Sequence, residues 1–565
     1  MRIVLAQINP LIGDIEGNGE KILSVCSNLS LNNFDLILTP ELSLWGYPPK
    51  DLLLEPSLHI KQNEVLQKIA KNLNTNNPNI KLLVGIAEQA SNLHYPSLFN
   101  SMALIAKGEI EIVARKQLLP SYDIFDEKRY FRPSNDSYLF SLESEGKVNK
   151  IGLTLCEDIW VEDKIQKNRT QGCDPIEKLK NKNIDILINI SASPYSFTKG
   201  KVREEIVANA CKRLNCPAIY LNQVGGNDEL IFDGSSFVMN KNGNLIFSLP
   251  SFEENIAIYD TSKNLESSFL KKEVCTTESI FKALVLGLKD YCRKCGFKRV
   301  LIGLSGGIDS ALVTTIAVFA LGSENVKVIL MPSPWSSKGS IDDSINLANR
   351  LNIKYKITPI HELMNLYSNC LLPTLGELPK GLTAENLQSR IRGTLLMAIA
   401  NQENYLLLST GNKSEIAMGY CTLYGDMNGG LSVIGDMYKT TVFKVSKWLD
   451  SKQSLSTRKF YNIPLDNAII GEEIRTKPPS AELRKDQLDT DSLPDYEILD
   501  PILKKIIEER FSKKELLKSG HNEHIIDKIQ NLIKKSEFKR RQAPPVLKIS
   551  NRAFDSGWRL PIASK

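Results

Sequence analysis

The sequence predicts an α/β protein in two parts: a layered α/β fold over residues 1–261 and a doubly wound parallel sheet over residues 276–565. Three observations predict it. Short apolar runs alternate with helical stretches from Met1 to about Asp260, a second strand–helix–strand rhythm begins at Val300, and 565 residues exceed what one hydrophobic core usually organises.

In the first part the runs Ile3–Ile8, Leu36–Thr39, Lys81–Ile86, Ile151–Leu155, Ile184–Ile190 and Ala218–Asn222 read as strands, because each is short, apolar and rich in β-branched residues. Residues 262–275 are polar at their start and keep no period, so they read as the linker. A helix over Thr277–Cys292 then leads to the strand Val300–Leu304, a Ser-Gly-Gly turn and an apolar helix over Ala311–Leu321. Strands over Val326–Met331, Tyr355–Ile360 and Asn404–Leu408, with a helix over Ser340–Leu351 between the first two, complete the rhythm. In such a sheet, ligands sit beyond the carboxyl ends of the strands.

Composition narrows the class. Apolar residues make up 42% and charged residues 24%, as in an ordinary soluble globular chain. The net charge, 71 − 65 = +6, is too small at this length to argue for a nucleic-acid partner, and Lys539-Arg540-Arg541 reads as a solvated face. No run approaches a membrane span, and residues 1–10 lack the apolar core of a signal peptide. Ten scattered cysteines fit reduced thiols, so a cytoplasmic location is expected, and the close pair Cys292/Cys295 reads as structural.

Three polar residues fall just after strand-like stretches in the first part: Glu41 in Thr-Pro-Glu-Leu-Ser, Lys116 in Arg-Lys-Gln-Leu-Leu-Pro and Cys156 in Leu-Thr-Leu-Cys-Glu-Asp. Singly they are a helix-start carboxylate, a surface ammonium and a small buried hydrophobe. Together they supply a nucleophile, a base and an oxyanion partner for attack on a carboxamide. A free thiol with a pKa of about 8.5 is mostly protonated at neutral pH, which is why a nearby base matters.

In the second part the turn Leu304-Ser305-Gly306-Gly307-Ile308-Asp309-Ser310 suits an anion: glycines let backbone N–H groups converge, and the following helix adds its positive end. No lysine follows, so it is not the usual nucleotide-hydrolase loop. Asp309 stands where it could hold Mg²⁺ on a phosphate chain, with Glu415 as its natural partner, and Thr410 follows the fourth strand. For Glu415 the alternative is a carboxylate interacting with a helix dipole.

The Glu41, Lys116 and Cys156 segments resemble the Glu-Lys-Cys motifs of the nitrilase, or carbon–nitrogen hydrolase, superfamily over roughly residues 1–260. The resemblance implies an α-β-β-α sandwich and glutamine hydrolysis, with glutamine held by Tyr122, Ser193 and Lys199. Glu127 matches a second acidic position near the site, a salt bridge being the competing reading. The Ser-Gly-Gly-Ile-Asp-Ser string resembles the pyrophosphate-binding loop of the ATP-pyrophosphatase superfamily. Three further strings, at 418–427, 477–483 and 491–497, resemble the substrate-covering segments of its NAD synthetase branch, although Tyr420 replaces a tryptophan found in some relatives.

Over nearly the whole chain the resemblance is to the glutamine-dependent NAD synthetase family. It implies that Leu304 to Ser310 and Thr410 bind ATP as a co-substrate, that Asp309 and Glu415 bind Mg²⁺, and that Asn386, Glu415, Tyr420 and Lys539 contact deamido-NAD. It implies small-molecule substrates, no nucleic-acid or membrane partner, and a homo-oligomer. Two alternatives stand beside it: another amidotransferase with this loop, acting on a nucleotide or tRNA, and a nucleotide-sensing protein that has lost its chemistry.

Overall fold

Alternation along β1 (Arg2–Gln7) sets the layers of the first half: Ile3 and Leu5 point into a core between two sheets, and Val4 and Ala6 point into a core under helices. The computed structural model describes residues 1–28, 34–90, 95–162, 172–263, 275–465 and 468–563. The chain divides into two compact units, Met1–Glu273 and Val274–Lys565, and most of the expected linker 262–275 lies outside the described residues.

In the first unit β2 (Leu36–Leu38), β3 (Lys81–Gln89), β4 (Leu98–Ala106) and β5 (Glu109–Arg115) extend β1 in that order. β14 (Asn255–Asp260) closes the other edge, running antiparallel to β1. The second sheet has the order β13-β12-β9-β8-β7-β6, with β6 (Tyr138–Ser144), β7 (Lys147–Leu155), β8 (Ile186–Ser191), β9 (Ala218–Asn222), β12 (Phe237–Met239) and β13 (Leu245–Ser248). Among the described strands of these two sheets, β1-β2-β3 and β7-β8-β9 are the parallel pairs. Leu36, Leu38 and Leu83 of one sheet meet Leu153, Ile188 and Ile219 of the other in a single buried cluster. The opposite faces carry helices: Ile15–Asn28 and Pro56–Asn76 on one, Pro175–Lys180 and Lys199–Leu214 on the other. These four layers are the expected α-β-β-α sandwich. A hairpin of β10 (Val224–Asn227) and β11 (Leu230–Asp233) stands apart from both sheets.

In the second unit β15 (Val300–Gly303), β16 (Val326–Leu330), β17 (Lys354–Ile357), β18 (Leu406–Ser409) and β19 (Leu431–Ser432) form one parallel sheet in the order β17-β16-β15-β18-β19. The order reverses at β15, so the crevice beyond its carboxyl end is the expected ligand site. Among the described residues no helix is long and apolar enough to cross a membrane.

Candidate active sites

The first site lies at the carboxyl ends of four strands of the sandwich. Glu41 follows β2, Lys116 follows β5, Cys156 follows β7 and Ser193 follows β8. The Lys116 ammonium lies 2.7 Å from Glu41 Oε1 and 2.7 Å from Glu127 Oε1, and it is fully enclosed. Glu41 also accepts from Asn100 Nδ2 at 2.8 Å and, through Oε2, from the Ala192 N–H at 2.9 Å. Four donors or charges thus fix the two carboxylates; the last is Tyr47, whose hydroxyl donates to Glu127 at 2.7 Å. Glu127 therefore makes the salt bridge that competed with a role near the site, and that bridge is itself part of the site. Burial first, then the neighbouring Glu41, holds the Glu127 carboxyl above the ordinary carboxylate range, while Lys116 pulls it back.

Cys156 is buried and takes a left-handed backbone, φ 42°, an uncommon conformation for a non-glycine residue. Burial, followed by the negative Glu41, pushes its thiol well above the ordinary cysteine range, with Lys116 opposing. The resting thiol is protonated, so its proton must leave as it attacks. Asp158, two residues on, fixes the turn: Oδ1 accepts from Gln117 N–H at 2.9 Å and Leu118 N–H at 2.8 Å, and Oδ2 from Leu155 N–H at 3.0 Å. One carboxylate thereby ties the segment after Lys116 to the segment carrying Cys156.

Of the three expected glutamine contacts, Tyr122 donates its hydroxyl to the Glu157 carboxylate at 2.8 Å, and Lys199 lies 5.6 Å from the Phe125 ring and 5.4 Å from the Trp160 ring. Ser193 is pinned by Arg203, which reaches its hydroxyl and carbonyl and pairs with Asp233 at 2.7 Å. Glu157, Asp158, Asn100 and Arg203 escaped the sequence reading. Only Glu157 and Asp158 carried a signal, their adjacency to Cys156 in Cys-Glu-Asp.

The second site is a cavity of about 310 Å³ over the end of β15. Its wall includes Leu304, Ser305, Gly307, Ile308, Asp309, Ser310, Thr410, Glu415 and Tyr420. Gly306 supplies the loop's shape: its φ is +80°, and a Cβ there would stand 2.2 Å from the Ser340 carbonyl oxygen. Ser305 and Ser310 brace the loop internally, with Gly307 N–H donating to Ser305 Oγ at 3.3 Å and Ser310 Oγ donating to Gly307 O at 3.0 Å. The helix Ile308–Leu321 starts inside the loop, so Asp309 and Ser310 stand in its first turn rather than ahead of it. First-turn N–H groups have no partner within their own helix, and the first-turn residues Ile308, Asp309 and Ser310 here lie on the cavity wall.

Asn386 and Lys539 are not on that wall. Asn386 accepts from Thr422 Oγ1 at 2.8 Å, and Lys539 Nζ donates to the carbonyls of Gly419 and Cys421 at 2.7 Å each. Both hold the 419–422 loop that carries Tyr420. The 477–483 string does line the cavity, pinned where Glu482 accepts from Ser340 Oγ at 2.6 Å. The 491–497 string packs Leu493 and Tyr496 into a hydrophobic cluster instead, and its neighbour Asp489 reaches the cavity.

Between the two carboxylates lies a cation the sequence reading missed. Lys439 Nζ is 2.5 Å from Asp309 Oδ2 and 3.2 Å from Glu415 Oε1. Burial pulls this ammonium down, but Asp309 and Glu415 together outweigh it and hold it above the lysine range. Asn412 completes the set, donating to Asp309 Oδ1 at 3.0 Å and capping the helix Lys413–Met418. Its capping box includes Glu415, so the helix-start reading of that residue holds alongside its place at the site. Two carboxylates with hard oxygen donors, both on the cavity wall, fit a Mg²⁺ ion.

The sandwich with its Glu-Lys-Cys cluster and the parallel sheet with its anion loop define a fused pair: a carbon–nitrogen hydrolase unit and a nucleotide-site unit. Family models agree, with Carbon-nitrogen hydrolase matching residues 2–268 and NAD synthase matching residues 280–543. A glutamine-dependent NAD(+) synthetase of Synechocystis is 47% identical over 568 residues, covering 99% of this chain and 98% of its own. One from Acinetobacter baylyi is 39% identical, covering 100% and 98%. The solved glutamine-dependent NAD+ synthetase of Acinetobacter baumannii, in complex with ADP, superposes with a TM-score of 0.75 at 36% identity, covering 99% of this chain and 98% of that one. The chain belongs to the glutamine-dependent NAD(+) synthetase family.

Proposed function

We infer that the chain makes NAD from deamido-NAD, ATP and glutamine, through two sites with separate tasks. Kinship over the full length, with a complete polar cluster in each unit, is the observation that carries this reading. It favours NAD synthesis over another amidotransferase with the same loop, because both family models match in one chain.

In the first site the Cys156 sulfur attacks the glutamine carboxamide carbon while Glu41 takes the thiol proton. The tetrahedral oxyanion forms beside the Lys116 ammonium, whose charge is fixed by enclosure between Glu41 and Glu127. Collapse expels ammonia, which leaves with the proton Glu41 returns. Water, activated by the same carboxylate, then cleaves the thioester to glutamate and the free thiol. Tyr122, Ser193 and Lys199 hold the amino-acid end of glutamine, with Glu157 orienting the Tyr122 hydroxyl.

In the second site the carboxylate of the nicotinate ring attacks the α-phosphorus of ATP, and pyrophosphate departs into the Ser305–Ser310 loop. Ammonia then adds to the acyl carbon and AMP leaves, forming the amide. Asp309 and Glu415 would hold Mg²⁺, which when bound offsets phosphate charge as a Lewis acid. Lys439 adds a fixed positive charge beside it, and Tyr420, on a loop held by Asn386 and Lys539, faces the dinucleotide. The domain limits proposed for these tasks are 1–261 and 276–565.

NAD formation and pyrophosphate release with ATP, Mg²⁺ and deamido-NAD test the reading, first with glutamine and then with ammonium as donor. Pyrophosphate release that is independent of deamido-NAD, or absent with both donors, would defeat it.

A further inference from the structure

The nucleotide cavity contains an arginine that neither the motifs nor the site chemistry above uses. Arg392 lies on the cavity wall in the helix Gly381–Glu403. Its Nε donates to the Met331 carbonyl at 3.1 Å, and its Nη groups donate to no acceptor among the described residues. The carboxylates nearest in charge are engaged elsewhere: Glu482 by Ser337 and Ser340, and Asp426 by the Thr422 N–H. A partly buried guanidinium with open donors and no ion pair is a site for an anion.

The helix's direction says which anion. Arg299, just before β15, donates to the Glu403 carbonyl at the helix's end, so the helix runs antiparallel to that strand. Leu396 lies over Gly303, where an added Cβ would meet Leu396 Cδ1 at 3.1 Å and Met331 Cε at 3.4 Å. Arg392 is one turn before Leu396, about 6 Å along the helix. Two residues of strand beyond Gly303 cover about the same distance and end at Ser305. Arg392 is therefore about level with Ser305 of the anion loop, and both lie on the wall of the same cavity. Burial lowers the guanidinium pKa only to about 10, so the charge persists at neutral pH.

We propose that Arg392 binds the phosphate chain of ATP, opposite the Ser305–Ser310 loop, and holds it for attack at the α-phosphorus. This rests on the nucleotide reading of the cavity given above.

The test compares the full-length chain with Arg392→Gln and Arg392→Lys. Affinities for ATP with Mg²⁺ and for deamido-NAD are measured by calorimetry, and that for adenosine by ligand-observed NMR. The expected result is an ATP Kd at least tenfold weaker in Arg392→Gln, a smaller loss in Arg392→Lys, and unchanged adenosine and deamido-NAD binding. Unchanged ATP affinity would overturn the proposal, as would equal losses for adenosine and ATP, which would make the role structural. A loss confined to deamido-NAD would also overturn it, assigning the guanidinium to the dinucleotide's phosphates. A parental chain that binds no ATP would instead bring down the nucleotide reading itself.

Discussion

Replacing Lys116 with Met tests the first site most severely, because the unbranched side chain keeps most of its length and loses its charge and its hydrogen-bond donors. In the parent the ammonium is fully buried, 2.7 Å from both Glu41 and Glu127. Without it two carboxylates face each other away from water, and removing one partner of a buried ion pair costs about 3–5 kcal/mol. For a unit of this size about 2 °C of Tm accompanies each kcal/mol, so the unit's melting should fall by roughly 6–10 °C. The penalty should depend on pH in a stated direction. The folded Glu127 carboxyl is already raised by burial, and losing Lys116 raises it further, so the folded state holds a proton that the unfolded state releases. A raised carboxyl destabilises at pH values above its folded pKa, and the loss is recovered as pH falls toward the unfolded value of about 4.3. Calorimetric melts of Lys116→Met should therefore approach the parent at pH 5 and separate from it at pH 8. Lys116→Met/Glu127→Gln should regain much of the stability but no glutaminase activity. A single variant melting within 1–2 °C of the parent at pH 8, or a gap that widens toward pH 5, would refute the charge assignment.

Three further outcomes follow from the two sites, alongside the Arg392 experiment. Cys156→Ala should lose NAD synthesis from glutamine yet keep it with ammonium at mildly alkaline pH, where more NH₃ is neutral; donor-by-donor assays decide, and unchanged glutamine use would remove Cys156 as nucleophile. Asp309→Asn should abolish synthesis from both donors, since both need adenylation, and retained ammonium-dependent synthesis would exclude its metal role. Gly306→Ala should lose the thermal shift given by ATP and Mg²⁺, because the new Cβ would collide with the Ser340 carbonyl at 2.2 Å on a backbone with φ +80°; a parental shift would show that the loop does not need this shape.

How far the sequence could be read depended on how local each signal is. Strands buried on both faces, such as β1, β8 and β15, announce themselves as continuous apolar runs. Strands left unread lack such a run: β6 opens on three apolar residues and turns polar, its alternation showing only in its burial, while β12 and β19 are three and two residues long, too short for a period. The catalytic candidates were legible because each sits in its own motif. Their supports were not, because they come from far along the chain: Asn100 reaches Glu41 across 59 residues and Lys439 reaches Asp309 across 130. A lone lysine at the start of an amphipathic helix looks like a solvated end until the fold places two carboxylates beside it. Asn386 and Lys539 show the converse: motif matching selected them, and the structure has them holding the loop that bears Tyr420.

Each unit sets one lysine between two carboxylates, and exposure separates what the two trios can do. In the first unit the side chains are 0%, 0% and 5% exposed for Lys116, Glu41 and Glu127, so the set has a formal charge of −1 that solvent cannot screen and that burial eases by raising the Glu127 carboxyl to about 7. Such a cluster suits a reaction in which a neutral amide enters and charge develops only in transit, with the ammonium in the role proposed for it, beside the oxyanion. In the second unit Lys439 is 3% exposed, but Asp309 and Glu415 are 17% and 18% exposed and open onto the cavity. The formal sum is again −1, yet the expected guest is a triphosphate. At about 4 Å and an effective dielectric near 20, each uncompensated unit pair costs about 4 kcal/mol. Lys439 alone cannot offset that repulsion against two carboxylates and several phosphate charges. A triphosphate in the second site therefore needs further positive charge, which the proposed Mg²⁺ at Asp309 and Glu415 and the proposed phosphate contact of Arg392 would supply.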